Sequence, residues 1–239
     1  MKKQQINDHT IAFIFDEISG FETAVFLIDK PNRYYLIDTF CGANPMSAIL
    51  SHIETLEVKK RLVVINTHFH WDHMWGNCLF KNRDIISHAS CRTLIEDTWD
   101  QQIESSGKYI MGNNEMTLPN LVFQQSLMFE DDGIELLYSP GHTSDSISIY
   151  DREQATLFVG DNLEKPLLFI EDKDINRYLR TLEKYIDYQP EAIVASHSIG
   201  MSFEDLEDAI EYLKKISTGQ KVSFEEPTKQ AIHEKNKSF

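Results

Sequence analysis

Apolar residues recur along this chain in two rhythms, and the switches between them mark out its elements. Thr10–Phe15, Glu22–Asp29 and Arg33–Thr39 are short runs rich in β-branched and aromatic residues, which suit a half-buried pleated surface. They predict a β-meander, with Lys30-Pro31-Asn32 turning the chain between the last two. From Asn44-Pro45 the rhythm becomes helical. Asn is a favoured N-cap and Pro suits the first helical position, while Met46, Ile49, Leu50 and Ile53 fall on one face. Leu62-Val63-Val64-Ile65 is then an unbroken apolar run, which predicts a buried strand. Asp84–Ser87 predicts another short strand, and a helix follows over about Ala89–Ser105.

Between Ser105 and Asn120 the rhythm fades, and Gly107, Gly112, Asn113, Asn114 and Pro119 interrupt the chain. A loop of that length is uncommon in a compact domain and often binds or covers a ligand. Its Tyr109, Ile110, Met111 and Met116 can line a substrate pocket or pack the excursion onto the body; the sequence leaves both open. From Leu121 the chain is β-rich again, with strands over Ile134–Tyr138, Ser146–Tyr150 and Thr156–Val159. Ile175, Tyr178, Leu179, Leu182 and Ile186 mark a helix over Asp174–Asp187, and Ala192–Ala195 is a short buried strand. Ser202 caps a last helix, with Asp205 in the reciprocal position and Phe203, Leu206, Ile210 and Leu213 as its stripe. Past Gly219 the residues are polar and of mixed charge. The expectation is one domain over residues 1–218 and a poorly ordered tail over 219–239.

Composition narrows the classes. The 239 residues can bury a substantial core, and 41% apolar with 11% aromatic residues is ordinary for a globular protein. A formal charge of −15 argues against a nucleic-acid partner, because neutralising phosphates takes clustered Lys and Arg. A small anionic substrate stays compatible where divalent cations dominate the local field. Cys41, Cys78 and Cys91 form an odd set without CxxC spacing, which points to a reducing compartment. Ile11–Phe15 is too short for a secretory segment, and no run approaches a membrane span. The expectation is a cytoplasmic protein that acts on a small molecule, with no membrane.

The chemistry concentrates just after the apolar run, in Thr67-His68-Phe69-His70-Trp71-Asp72-His73. If the chain stays extended past Thr67, His68, His70 and Asp72 share a face, and His73 opens the turn or helix that follows. Imidazole nitrogen and carboxylate oxygen suit zinc, iron or manganese. Ser139-Pro140-Gly141-His142, Gly160-Asp161 and Ser196-His197 repeat the context, each just past the end of an apolar strand, where rigid scaffolds usually carry their sites. His88 lacks that context and suits a structural or capping role, while His9, His52 and His233 suit solvated positions. Trp71 and Trp75 can wall the cluster or pack beneath it. Thr143 and Ser144 can satisfy backbone groups in the loop after His142.

His-x-His-x-Asp-His, then Gly-His-Thr, Gly-Asp and a lone His after a strand resemble the ordered signature of the metallo-β-lactamase superfamily, over about residues 10–215. The resemblance implies an α/β fold, an αββα four-layer sandwich with two mixed β-sheets face to face and helices on the outside. It implies two divalent metal ions, zinc before iron or manganese. His68, His70 and His142 would hold one ion, Asp72, His73 and His197 the other, and Asp161 would bridge them. Asp38, at the end of an early strand, would support the ligands from behind. The implied protein is a dinuclear hydrolase using a metal-bridging hydroxide on a small ester, thioester, lactone or phosphoester. Asp72 would orient the water or carry its proton. The alternative is a mononuclear iron redox enzyme resembling the persulfide dioxygenases. Asp161 stands where the cysteine-containing β-lactamases place Cys, and Glu164 where homoserine-lactone hydrolases place Tyr.

Overall fold

Two compact units divide the chain, Met1–Gly133 and Ile134–Phe239, in a computed structural model that describes residues 1–18 and 20–237. The first unit contains β1 (Lys2–Asn7), β2 (Thr10–Phe15), β3 (Thr23–Asp29), β4 (Arg33–Ile37), α1 (Ala43–Thr55), β5 (Arg61–Ile65) and α2 (Trp71–Met74). A 3₁₀ segment (Trp75–Phe80) leads to β6 (Asp84–His88), α3 (Ala89–Ser106), β7 (Leu121–Phe123) and β8 (Ser126–Phe129). Its mixed sheet runs in sequence order from β1 to β7. Pairing is antiparallel from β1 to β4 and parallel from β4 to β7. The register sets Ile37 beside Ile65 and Ile65 beside Ile86, so β4, β5 and β6 end together. Residues just beyond those ends therefore meet at one edge.

Most strands of this unit fall where the apolar rhythm puts them; β1 does not. Lys2–Gln5 are all exposed, and the strand exists because its backbone pairs with β2 along an edge rather than because it buries side chains. Helix α1 starts earlier than Asn44-Pro45 predicts, with Gly42 as its cap. The excursion explains this. Asn113 O and Met111 O accept hydrogen bonds from Ala43 N and Asn44 N, satisfying donors that a side-chain cap would otherwise serve. Gly42 is at φ 135°, and a Cβ there would meet Met111 O at 2.7 Å. Met111 N in turn donates to Cys41 O. Tyr109, Met111 and Ile110 all pack onto apolar clusters of the unit, so the excursion is tied to its body.

The second unit contains β9 (Ile134–Tyr138), β10 (Ile147–Asp151), β11 (Thr156–Phe158), α4 (Ile175–Asp187), β12 (Ala192–Val194), α5 (Phe203–Ser217) and α6 (Pro227–Asn236). Strands β9, β10 and β11 pair antiparallel and β12 joins β11 in parallel, giving a second mixed sheet. Leu157, Val159 and Ile193 from this sheet pack with Tyr178 and Leu182 of α4 and Leu206 and Leu213 of α5. Asp174 caps α4, and the Ser202–Asp205 capping box opens α5 as its spacing predicts.

The polar stretch past Gly219 is not the tail that its composition suggests. Helix α6 buries Ile232, His233 and Asn236, which share one face at helical spacing. Only three positions carry its packing, too few to register as an apolar stripe. His233 is accordingly not solvated: its Nδ1 lies 3.0 Å from the Tyr212 hydroxyl. The His52 ring likewise packs against Phe13, with centroids 5.4 Å apart. His88 caps α3 and accepts from Ser90 N, the structural role expected of it.

Candidate metal centre

In the first unit the site begins where β4 and β5 end. Strand β5 stops at Ile65, and the chain does not stay extended: His73 N donates to His70 O, and α2 opens at Trp71. Asp72 and His73 therefore lie on a helical turn, and Asp72 does not share a strand face with His68 and His70. A buried amide pair makes the turn. Asn66 Nδ2 donates to Asn77 Oδ1 (3.0 Å), and Asn77 Nδ2 returns a bond to Asn66 Oδ1 (2.8 Å). Thr39 N and Asn66 Nδ2 both donate to His73 O. Trp75 is fully buried beneath this loop, while Trp71 is half-buried and stacks on Tyr109 with ring centroids 5.0 Å apart.

Asp38 organises the ligands. It is fully buried at φ 65°, a left-handed conformation that Asp and Asn tolerate better than other non-glycine residues. Its carboxylate accepts from Thr67 N (2.8 Å), the Thr67 hydroxyl (2.8 Å) and His73 Nδ1 (2.9 Å). Burial pushes the Asp38 carboxyl above the usual carboxylate range, and His73 and the Thr67 donors pull it back. The tautomers follow from proton counting. The Thr67 hydroxyl spends its proton on Asp38, so His68 Nδ1, 3.0 Å away, must donate to Thr67 Oγ1. His68 and His73 thus both carry the proton on Nδ1 and present the Nε2 lone pair. This is how proteins hold imidazoles for a metal.

The remaining distances fit an ion. His68 Nε2 and His70 Nδ1 lie 3.0 Å apart, close enough to share one cation at a zinc–nitrogen distance of about 2.0–2.1 Å. His73 Nε2 is 3.6 Å from Asp72 Oδ2. The second unit has the same logic. His142 Nδ1 donates to Phe169 O (3.1 Å), which leaves Nε2 on the side of Asp161, 3.8 Å from Oδ2. His197 Nε2 is 3.1 Å from the same oxygen. Asp161 therefore faces two imidazole nitrogens with one carboxylate. Donor type, spacing and orientation all suit divalent metal, and the chain carries His/Asp clusters able to bind it.

Asn162, which the sequence motifs do not single out, holds the loops of the second unit in register. Its Oδ1 accepts from His142 N (2.8 Å), and its Nδ2 donates to Ser139 O (2.7 Å) and Tyr185 Oη (2.8 Å). Tyr178 donates to Asn162 O (2.9 Å). Burial pushes both phenols up, so they stay neutral. Thr143 accepts from Gly141 N through its carbonyl, and Ser144 O accepts from the Tyr138 hydroxyl. Asn66, Asn77 and Asn162 share one signal, an amide close in sequence to a candidate ligand.

A family model described as the metallo-beta-lactamase superfamily matches residues 18–197, and the chain belongs to that superfamily. It is 26% identical over 198 residues to the Beta-lactamase-like protein 2 homolog of Drosophila melanogaster. That match covers 80% of this chain and 62% of the fly protein, so the chain spans about three fifths of that relative. It is 24% identical over 200 residues to a human protein named Acyl-coenzyme A thioesterase MBLAC2, covering 74% of this chain and 71% of the relative. A crystal structure of VMB-1 superposes with a TM-score of 0.73 at 16% identity, covering 90% of this chain and 97% of that one. That likeness is one of fold. Two mixed sheets with helices are the α/β sandwich class that the sequence motifs implied. Among the described residues no helix is long and apolar enough to cross a membrane.

Proposed function

We propose that this chain is a dinuclear metal-dependent hydrolase of small acyl esters, thioesters first among them, with the ligands of both units forming one centre. In this reading His68, His70 and His142 hold one ion, Asp72, His73 and His197 hold the other, and Asp161 serves both. Zinc is the expected metal. The observation that carries the reading is orientation: His68, His73 and His142 are each held at Nδ1 by an oxygen acceptor, with Nε2 left to bind. The family match supports joining the two sets, since it runs through residues of both units. The human relative is named as an acyl-coenzyme A thioesterase, and that moves thioesters ahead of lactones and phosphoesters. Cys41, Cys78 and Cys91 are all buried and form an odd set without CxxC spacing, which supports a cytoplasmic setting.

When bound, the ions would supply Lewis acidity and a water acidic enough to attack at neutral pH. The chain would do the rest. Asp38 and the Phe169 carbonyl fix the ring tautomers, and in this reading Asp72, only 6% exposed, takes a proton from the attacking water and passes it to the leaving group. The test is turnover of a panel of acyl-CoA thioesters, simple esters, lactones and phosphodiesters by protein purified without added metal. Thioester hydrolysis that chelator abolishes and zinc restores is the expected result. Oxygen uptake with no hydrolysis of any panel member would replace the reading with the iron redox alternative.

A further inference from the structure

Helix α6 reaches the ligand His142 through one side chain. Asn236 is 4% exposed and brackets the backbone around Phe169. Its Nδ2 donates to Leu168 O at 2.8 Å, and its Oδ1 accepts from Ile170 N at 3.0 Å. The Ile170 N–H belongs to the same peptide unit as the Phe169 carbonyl, and that carbonyl accepts from His142 Nδ1 at 3.1 Å. A trans peptide is planar, with its N–H and C=O pointing opposite ways. Holding the N–H therefore aims the carbonyl, and a bond at one end polarises the other. A second bond, from Glu171 N to His142 O (3.0 Å), keeps the strap from sliding along the ligand loop. Asn236 is itself set from behind, since its Nδ2 also lies 3.2 Å from the Tyr212 hydroxyl, which contacts His233 of the same helix.

We propose that Asn236 is a positioning residue for the metal ligand His142, acting through the 169–170 peptide to hold its ring in the Nδ1–H tautomer. The proposal rests on the metal-centre reading above for its consequence, and on the clamp alone for its geometry. Without Asn236, the 169–170 peptide can tilt, His142 loses its acceptor, and Nε2–H tautomers that cannot bind metal through Nε2 become populated.

Two readouts test it in the full-length protein. The first is the nitrogen chemical shifts of His142 in metal-free protein, which report its tautomer. The second is zinc affinity by chelator competition. Asn236→Ala should shift His142 towards a tautomer mixture and weaken zinc binding by about threefold to tenfold, below the 10–100-fold typical of a direct outer-shell partner. Ile232→Ala, on the same helix and in the apolar cluster that holds Leu168 and Ile170, should lower the melting temperature while leaving both readouts at wild-type values. If Asn236→Ala does not fold, Asn236→Leu fills a similar volume without either bond, and the same two shifts are expected. A folded Asn236 variant with wild-type tautomer and zinc affinity overturns the proposal, as does Ile232→Ala moving both readouts equally. A wild-type protein that binds no zinc would instead sink the functional reading, and the tautomer comparison would still decide the clamp.

Discussion

Replacing Asp38 by Asn tests the ligand scaffold with little backbone disturbance, because Asn tolerates the φ of 65° that the position demands. Asn Oδ1 can still accept from Thr67 N. The other carboxylate oxygen becomes an NH₂ facing the Thr67 hydroxyl and His73 Nδ1–H, donor against donor. The hydroxyl can rotate and accept from the amide, but His73 cannot accept without moving its proton to Nε2. One charge-assisted bond is lost outright and another weakened, at roughly 1.5–3 kcal/mol for the first, so the variant should be about 3 kcal/mol less stable. The tautomer change also occupies the nitrogen assigned to metal, which should weaken binding there by about 10–100-fold. Urea unfolding of the metal-free protein reads the first effect, and chelator competition reads the second. A variant that unfolds at the wild-type midpoint and binds metal with unchanged affinity would refute the argument that Asp38 fixes the ligand tautomers.

Asp132 accepts from Arg33 Nη1 (2.6 Å), Tyr35 (2.8 Å) and Asn32 (3.0 Å) while nearly fully buried, and Asp132→Ala should cost about 3 kcal/mol by leaving the Arg33 charge without its buried partner. Burial pushes this carboxyl up, but the bonds from Arg33, Tyr35 and Asn32 outweigh it and hold the group below its ordinary 3.8. Its contribution is therefore present above that value and lost as pH falls through the folded-state pKa; the gap between wild-type and variant urea midpoints should narrow as pH falls below 3.8. In Gly141→Ala the new Cβ would meet Tyr178 Cδ2 at 2.3 Å and Asn162 Oδ1 at 2.7 Å, so the variant should loosen the His142 loop and lose most turnover of the best panel substrate. Chelation should abolish activity and lower the melting temperature while far-UV circular dichroism stays native, because both units have apolar cores of their own.

What the sequence disclosed depended on how locally each feature is encoded. Leu62–Ile65 announces β5 because burial is written in the residues themselves, and the candidate ligands announce themselves because imidazole and carboxylate at that spacing have few other uses. Strand β1 is held by backbone pairing that no side chain records, and α6 by three buried positions among polar ones. The start of α1 was hidden for a third reason. Its first N–H groups are served by Met111 and Asn113, far along the chain, so the local Asn44-Pro45 signal misplaces the cap. Asn162 and Asn236 belong to the same class. Each acts through bonds to residues distant in sequence, where periodicity carries no information. The turn at Asp72 was misplaced because the Asn66–Asn77 amide pair, not strand propensity, governs the chain past Ile65.

The central claim is that seven side chains hold two ions, and metal content of paired variants tests it most directly. Asp161 is the ligand assigned to both ions, whereas His197 is assigned to one. Elemental analysis of protein purified without added metal should give about two zinc per chain for wild type, about one for His197→Ala, and less than that for Asp161→Ala. A single tightly held iron in wild type, retained in full by His197→Ala, would contradict the dinuclear hydrolase.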